Sequence, residues 1–169
     1  MTAESPKQFM TKSIQHLEEL THQAVREVFQ SMASMDVTVE PPSEISNVEG
    51  QIVASVGFVG DVNGVLYLYA GTDFVRLTTS QMLGISPAEV DSEMITDALG
   101  ELTNMVAGYV KTRLSGNGRP CALTIPSIVR GQKLSVQGAA DVTRKIMGFR
   151  NLNHHFLAEL LLKDQSKRS

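Results

Sequence analysis

A helical pattern of apolar residues runs from about residue 91 to residue 115. The apolar positions recur at intervals of three and four, which is the spacing of an amphipathic helix. They are Ile95, Ala98, Leu99, Leu102, Met105, Val106, Tyr109 and Val110. The opposite stripe consists of Asp97, Glu101, Asn104, Gly108, Lys111 and Ser115. One carboxylate and one amide, Glu101 and Asn104, therefore project side by side from a rigid element.

Two glycines, Gly100 and Gly108, lie inside this predicted helix. Glycine costs a helix interior about 1 kcal/mol relative to alanine, so we expect another surface to come close at these positions. That surface can belong to a partner or to the same chain. A Glu and an Asn at this spacing are also common on solvated helices. The spacing alone therefore predicts no more than a rigid, partly bare polar face.

The rest of the chain combines helical and strand-like patterns. A first helix is predicted over residues 6–33, where Ser5 and Pro6 form its start. A second is predicted over residues 73–83, capped by Thr72 and Asp73 and ended by Gly84. A short helical segment is expected after Ser86–Pro87.

Strands are predicted between and after these helices. Their ranges are 37–40, 51–59, 62–70, 121–126, 127–129, 133–137, 142–149 and 155–162. Residues 51–70 are typical of a hairpin, in which Asn63–Gly64 supplies the turn. The last strand is rich in apolar residues and could be buried, or could pair with a second copy at a sheet edge.

Composition narrows the class of protein. The chain has 169 residues, 42% of them hydrophobic and 20% charged, as expected for a soluble domain with a sizeable core. The net charge of −3 gives no basic surface for nucleic acid. No apolar run is long enough for a membrane span and no signal peptide is evident. A lone cysteine, Cys121, fits a reducing cytoplasm and reads as a small core residue.

The long helix carries residues that resemble a known motif. The motif consists of an Asp or Ser, then a Glu four positions later, then an Asn three positions after that, and a Pro further downstream. In this chain these positions are Asp97, Glu101, Asn104 and Pro126. The pattern is similar to that of the CheC/CheX/FliY family of chemotaxis phosphatases, and its single-site CheX-like branch fits best. The similarity extends over residues 52–67, 82–84, 104–108 and 125–131, and overall over about residues 36–163.

The resemblance implies a fold and an organisation. The fold would be α+β, a mainly antiparallel sheet of about six strands with long helices packed on one face. The whole chain, 1–169, would form one CheX-like domain. It would comprise an N-terminal helix in residues 1–35, the family-like core in 36–163 and a polar tail in 164–169. Homodimers joined through sheet edges are expected of this branch.

The resemblance also implies an activity, removal of the phosphoryl group from the aspartate of a CheY-like response-regulator receiver domain. An acyl phosphate is already activated, so such catalysis consists mainly of positioning a water. The Asn104 amide both donates and accepts hydrogen bonds and would be catalytic, while Glu101 would anchor a receiver lysine. The receiver would supply Mg²⁺, and this chain would need no metal or other cofactor of its own.

Other residues receive secondary roles. Asp97, Gly100, Gly108 and Lys111 are expected to contact the partner, and Pro126 is expected to shape the floor beside the helix. The family usually has Gly where this chain has Thr103, which predicts added bulk beside the reactive face. That departure and the extended N-terminal helix keep open a non-catalytic module that binds a receiver or a motor-switch component. A purely structural dimerisation domain would leave the Glu101/Asn104 stripe unexplained.

Two weaker candidates are interpreted as structural. Residues 18–22 echo the motif, but His22 stands where the motif has Asn, and we expect a solvated side chain there. His154 and His155 adjoin a strand, where neighbouring side chains point to opposite faces. We therefore expect one site and no metal.

Overall fold

The structure is a computed structural model that describes residues 6–42, 50–116, 118, 120–132, 134 and 137–163, with side chains described from Ile14 onward. These residues include three α-helices: α1 (Pro6–Ala33), α2 (Thr72–Leu83) and α3 (Ser92–Gly116). A 3₁₀ turn, Pro87–Glu89, lies between α2 and α3. The seven strands are β1 (Thr38–Glu40), β2 (Gln51–Gly60), β3 (Gly64–Gly71), β4 (Cys121–Leu123), β5 (Ser127–Gly131), β6 (Val142–Asn151) and β7 (His154–Lys163).

The strands form one antiparallel sheet in the order β1-β6-β7-β3-β2-β4. Strand β5 also pairs with β2, along the same side as β4. β2 and β3 are joined by the predicted hairpin, whose turn is closed by Asn63. Its side-chain oxygen accepts a hydrogen bond from the Gly60 amide at 3.2 Å, and its amide group donates to the Gly60 carbonyl at 2.7 Å. The turn assignment for Asn63–Gly64 is confirmed.

The helices cover one face of the sheet. Alternate residues of β2, namely Ile52, Ala54, Val56 and Phe58, are buried in the same core as the inner faces of α1, α2 and α3. The intervening Val53 faces away and forms a separate small cluster with Tyr69. This period of two fits a sheet with helices packed on one side. The predicted α+β class is confirmed, with seven strands where about six were expected.

Aromatic rings hold the helices to the sheet. Phe156 of β7 stacks on Phe29 of α1 at 4.9 Å between ring centroids, on Phe74 of α2 at 5.1 Å, and on Phe149 of β6 at 5.3 Å. All four rings are buried. One side chain thus connects two helices and two strands.

Several element boundaries differ from the prediction. The predicted N-terminal cap of α2 was wrong. Gly71 precedes the helix without a side-chain cap, and the Thr72 hydroxyl instead donates to the Gly50 carbonyl at 3.0 Å. Gly84 ends α2 with φ 65°, as predicted. Strand β4 ends at Leu123. Of the strand predicted at 133–137, residues 133, 135 and 136 lie outside the described part, and Leu134 and Gln137 are not in a strand.

Of the two alternatives for the last strand, the buried strand is confirmed and the sheet edge was wrong. β7 lies inside the sheet, paired with β6 on one side and β3 on the other. Phe156, Ala158 and Leu160 join the main core, and Leu157 packs against the small cluster of Val53 and Tyr69 on the other face. In the described part of the chain the edges are formed by β1 and by β4 with β5.

Replacing Phe156 with alanine should lower the free energy of unfolding by about 3–5 kcal/mol, because the change leaves a cavity among three other rings. Chemical denaturation followed by circular dichroism measures this loss. Leu152→Ala is the control, since Leu152 is 75% exposed at the β6–β7 turn and its truncation should leave stability unchanged. Equal stability of the two variants would contradict the central role of Phe156.

Candidate active site

Helix α3 is fixed at its start and along its inner face. Asp91 accepts a hydrogen bond from the Met94 amide at 2.9 Å, which caps the first turn. The inner residues Ile95, Leu99, Leu102, Val106 and Val110 are buried. The helix is continuous from Ser92 to Gly116, so no break separates Glu101 from Asn104.

The outer face of α3 carries the polar stripe seen in the sequence. Asp97, Glu101 and Ser115 are exposed, and Asn104, Gly108 and Lys111 are half-buried. Among the described residues no hydrogen bond or ion pair occupies the side chains of Glu101 and Asn104. Both groups therefore remain available to a molecule that approaches this face.

Pro126 and Ile128 lie against one flank of the helix, at Gly100. A Cβ on Gly100 would lie 3.2 Å from Ile128 Cδ1 and 3.7 Å from Pro126 Cβ. Gly100 is buried, so its assignment to the partner contacts has to be corrected. The surface that comes close there is the protein's own β4–β5 segment. Pro126 lies beside the helix, the position that the sequence interpretation gave it.

The other flank of the helix faces α1 across an open groove of about 500 Å³. Met105, Gly108, Tyr109 and Arg113 line it on α3, opposite Glu27 of α1. The Tyr109 hydroxyl lies 3.2 Å from the Glu27 carboxylate and accepts a hydrogen bond from Arg113 at 3.1 Å. Nothing lies within 4 Å of a Cβ placed on Gly108. Unlike Gly100, Gly108 leaves the outer face bare.

Thr103 does not lie beside the reactive face, contrary to expectation. It is fully buried, and its hydroxyl donates to the Leu99 carbonyl one turn earlier at 2.7 Å. That bond satisfies the hydroxyl inside the helix. The added bulk of a β-branched residue is thus directed into the core and away from Glu101 and Asn104.

Arg130 of β5 also positions α3, and sequence reasoning missed it. Its guanidinium donates to the Ser92 hydroxyl at 2.7 Å and also contacts the Ser92 carbonyl and the Thr96 hydroxyl. These contacts attach the strand after Pro126 to the first turns of α3. The sequence carries no signal for them, because Arg130 and Ser92 are 38 positions apart.

The echo of the motif on α1 is a structural feature. Thr21 is buried and donates to the Leu17 carbonyl at 2.7 Å, as Thr103 does on α3. His22 is half-buried with its ring edge-on to Phe149 at 5.7 Å, so the expectation of a solvated imidazole was wrong. Burial lowers the pKa of His22, although Glu18 and Glu19 act in the opposite direction.

The remaining titratable candidates are dispersed. His154 stacks on Phe74 at 5.2 Å, and His155 pairs with Glu40. Cys121 is buried, and burial raises the pKa of its thiol. No group of three His, Cys, Asp or Glu side chains suited to a metal ion occurs among the described residues.

More than half of the chain matches a known protein family. Residues 52–150 match the family described as chemotaxis phosphatase CheX. The chain belongs to the CheX family. The matched segment contains α3, the β4–β5 segment and most of the sheet. No described helix of this CheX-family chain is long and apolar enough to cross a membrane.

Three individual relatives are 19–26% identical to this CheX-family chain. The CheY-P phosphatase CheX of Thermotoga maritima is 26% identical over 117 residues, covering 68% of this chain and 75% of the relative. A CheC-like superfamily protein from a Shewanella species superposes with a TM-score of 0.76 at 26% identity, over 88% of this chain and 97% of the other. The Borrelia burgdorferi CheX in a CheX–CheY–BeF₃–Mg²⁺ complex gives a TM-score of 0.70 at 19% identity, over 86% and 97%.

Alanine at the two glycines of α3 should affect stability differently. Gly108→Ala should raise the free energy of unfolding by about 0.5–1 kcal/mol, because the new methyl group meets nothing and helix propensity improves. Gly100→Ala should gain less, because its methyl group would press on Ile128. Urea denaturation of both variants tests the difference, and equal gains would contradict the assigned packing of Gly100.

Proposed function

We propose that this chain dephosphorylates the aspartyl phosphate of a CheY-like receiver domain in chemotaxis or related two-component signalling, in the cytoplasm. The observation that carries the proposal is the unoccupied pair Glu101 and Asn104, presented on the outer side of a continuous helix whose inner side is buried. Membership of the CheX family and the relative named as a CheY-P phosphatase support the same reaction. So does the fold shared with the CheX of the Borrelia complex. The chain acts as one CheX-like domain.

Asn104 orients the attacking water. Its side-chain oxygen accepts a hydrogen bond from the water, and its amide group donates to a phosphoryl oxygen. The water oxygen forms a bond to phosphorus while the bond from phosphorus to the receiver aspartate breaks. The aspartate leaves as a carboxylate, and the proton of the water passes to the phosphate product or solvent. Because the leaving group is good, positioning suffices and a strong base is not needed.

Glu101 holds the receiver in register. Its carboxylate, about one turn from Asn104, pairs with a receiver lysine next to the phosphorylated aspartate. The Mg²⁺ of the reaction belongs to the receiver, so the chemistry requires no metal site on this chain. Asp97, Gly108 and Lys111 continue the contact along the same stripe. The bare surface at Gly108 lets the receiver approach the helix closely.

A non-catalytic module that binds a receiver or motor-switch component is the alternative function. Its support in the sequence was the bulk of Thr103 and the extended N-terminal helix. The burial of the Thr103 side chain, with its hydroxyl bonded inside the helix, removes the first of these two arguments. Nothing in the geometry of the Glu101/Asn104 face favours binding without turnover.

The variant Asn104→Ala distinguishes the phosphatase proposal from the non-catalytic binding module. This variant should bind the receiver nearly as well as wild type while dephosphorylating it roughly 10²-fold more slowly, the scale of losing one preorganised polar group. Glu101→Ala should weaken binding as well as rate, because it removes the charge partner. Phosphate release from a phosphorylated, Mg²⁺-loaded receiver and titration calorimetry provide the two readouts.

Ser115→Ala is the matched control on the same stripe. It lies eleven positions beyond Asn104, about 16 Å along the helix, and should leave both readouts unchanged. Equal rates for Asn104→Ala and wild type would move the chemistry away from Asn104. Wild-type binding without accelerated phosphate loss would favour the module.

We also propose a symmetric homodimer joined through sheet edges. Since β7 is internal, the candidate edges among the described residues are β1 with β6, and β4 with β5. Sedimentation at micromolar concentration should give about twice the chain mass of 18.4 kDa. A clean monomer would remove the dimer and leave the catalytic proposal intact.

A further inference from the structure

One exposed aliphatic side chain lies beside the Glu101/Asn104 face. Ile125 is 85% exposed, more than any other large hydrophobic residue in the described part of the chain. A single exposed apolar residue is ordinary on a protein surface, so exposure alone indicates no function. The way the backbone holds Ile125, and its distance from α3, separate it from the other exposed residues.

The backbone on both sides of Ile125 is fixed. The Thr124 amide donates to the Gly57 carbonyl at 2.9 Å, and the Gly57 amide donates to the Thr124 hydroxyl at 2.8 Å. After Pro126, Ser127 pairs with Ser55 in the β2–β5 ladder. The Pro126 ring fixes its own φ and limits Ile125 to extended backbone conformations. We call residues 124–126 the Ile125 ledge.

Gly57 is required for this clamp. A Cβ at Gly57 would lie 2.9 Å from Thr124 Cγ2 and 3.2 Å from its hydroxyl oxygen, closer than a side chain tolerates. The glycine therefore lets Thr124 lie directly against β2. The ledge is a rigid projection from the sheet edge.

The ledge adjoins the reactive face. Pro126 lies against Gly100 of α3, the residue immediately before Glu101. The Cα of Ile125 is about 3.8 Å from that of Pro126, the fixed spacing across a trans peptide bond. Ile125 is therefore the immediate neighbour of a residue that packs against α3 next to Glu101.

We propose that Ile125 is an apolar anchor for the receiver domain, an inference that rests on the proposed function. The occupant is the receiver because the ledge is continuous with the face that receives the phosphorylated aspartate. The polar pair orients the receiver, and burial of the Ile125 side chain adds affinity without orienting anything. Since the ledge is already rigid, its binding costs little conformational entropy.

The test measures binding and turnover separately with the full chain. The probe for binding is a receiver loaded with Mg²⁺ and beryllofluoride, and the turnover substrate is the phosphorylated receiver. Ile125→Ala should raise both Kd and KM about tenfold with kcat unchanged. Ile125→Leu should restore values close to wild type. Leu152→Ala, which truncates a side chain 75% exposed at the distant β6–β7 turn, should change none of the three constants.

The outcomes separate this inference from the proposed function. If wild type dephosphorylates the receiver and Ile125→Ala binds it equally well, the anchor is overturned and the phosphatase remains. A fall in kcat at constant KM would assign Ile125 to positioning and likewise overturn the anchor. If Ile125→Ala alters only the sedimentation coefficient, the ledge contacts a second copy of this chain and the inference fails. Wild-type protein that neither binds nor dephosphorylates a panel of receivers would overturn both proposals.

Discussion

The candidate site depends on the unequal burial of α3. Along one side the helix contributes Leu99, Leu102 and Val106 to the main core, and along the other it presents side chains that other described residues leave unbound. Burial of the inner side fixes the rotation of the helix about its axis. The directions of Glu101 and Asn104 follow from that rotation. A shift of one residue in the apolar pattern would turn the pair by about 100°, into the groove or into the sheet.

Two attachments fix the helix against sliding along its axis. Arg130 attaches β5 to Ser92 and Thr96 near the start of α3. Pro126 and Ile128 pack against Gly100, where an added methyl group would press on the Ile128 side chain. Both contacts come from one short stretch of the chain, residues 126–130. The reactive face and the loop beside it are therefore held as one unit.

The sequence predicts those features that depend on residues close together in the chain, and fails for those that depend on distant residues. The periodicity of α3, the Asn63 turn and the Gly84 cap are set by neighbouring residues, and the sequence predicts them. Glu159 shows where this fails. It is buried on β7, where the Tyr69 hydroxyl donates to it at 2.8 Å and Arg144 pairs with it. Tyr69 is 90 positions away in sequence. The pKa of Tyr69 is raised, mainly by burial and to a smaller extent by the hydrogen bond to Glu159.

The same limit explains the errors at the site. An apolar strand can be internal or pair at an edge, and only the long-range register of β7 with β3 and β6 decides between them. Thr103 and Gly100 were assigned to the reactive side because helical spacing gives an angle and not the identity of the neighbour. Their neighbours, the Leu99 carbonyl and the Pro126–Ile128 segment, become visible only in three dimensions.

The interruption between β4 and β5 has a further consequence for the sheet edge. The two short strands pair with β2 along one side, but the Thr124 clamp and Pro126 break what would otherwise be a single long outer strand. An edge divided in this way offers an incoming strand no continuous ladder of free amides, which limits uncontrolled aggregation through strand addition. The opposite edge lacks this protection, since β1 pairs with only Gly148–Arg150 of β6. In the described part of the chain, residues 142–147 therefore have no neighbouring strand on that side of β6.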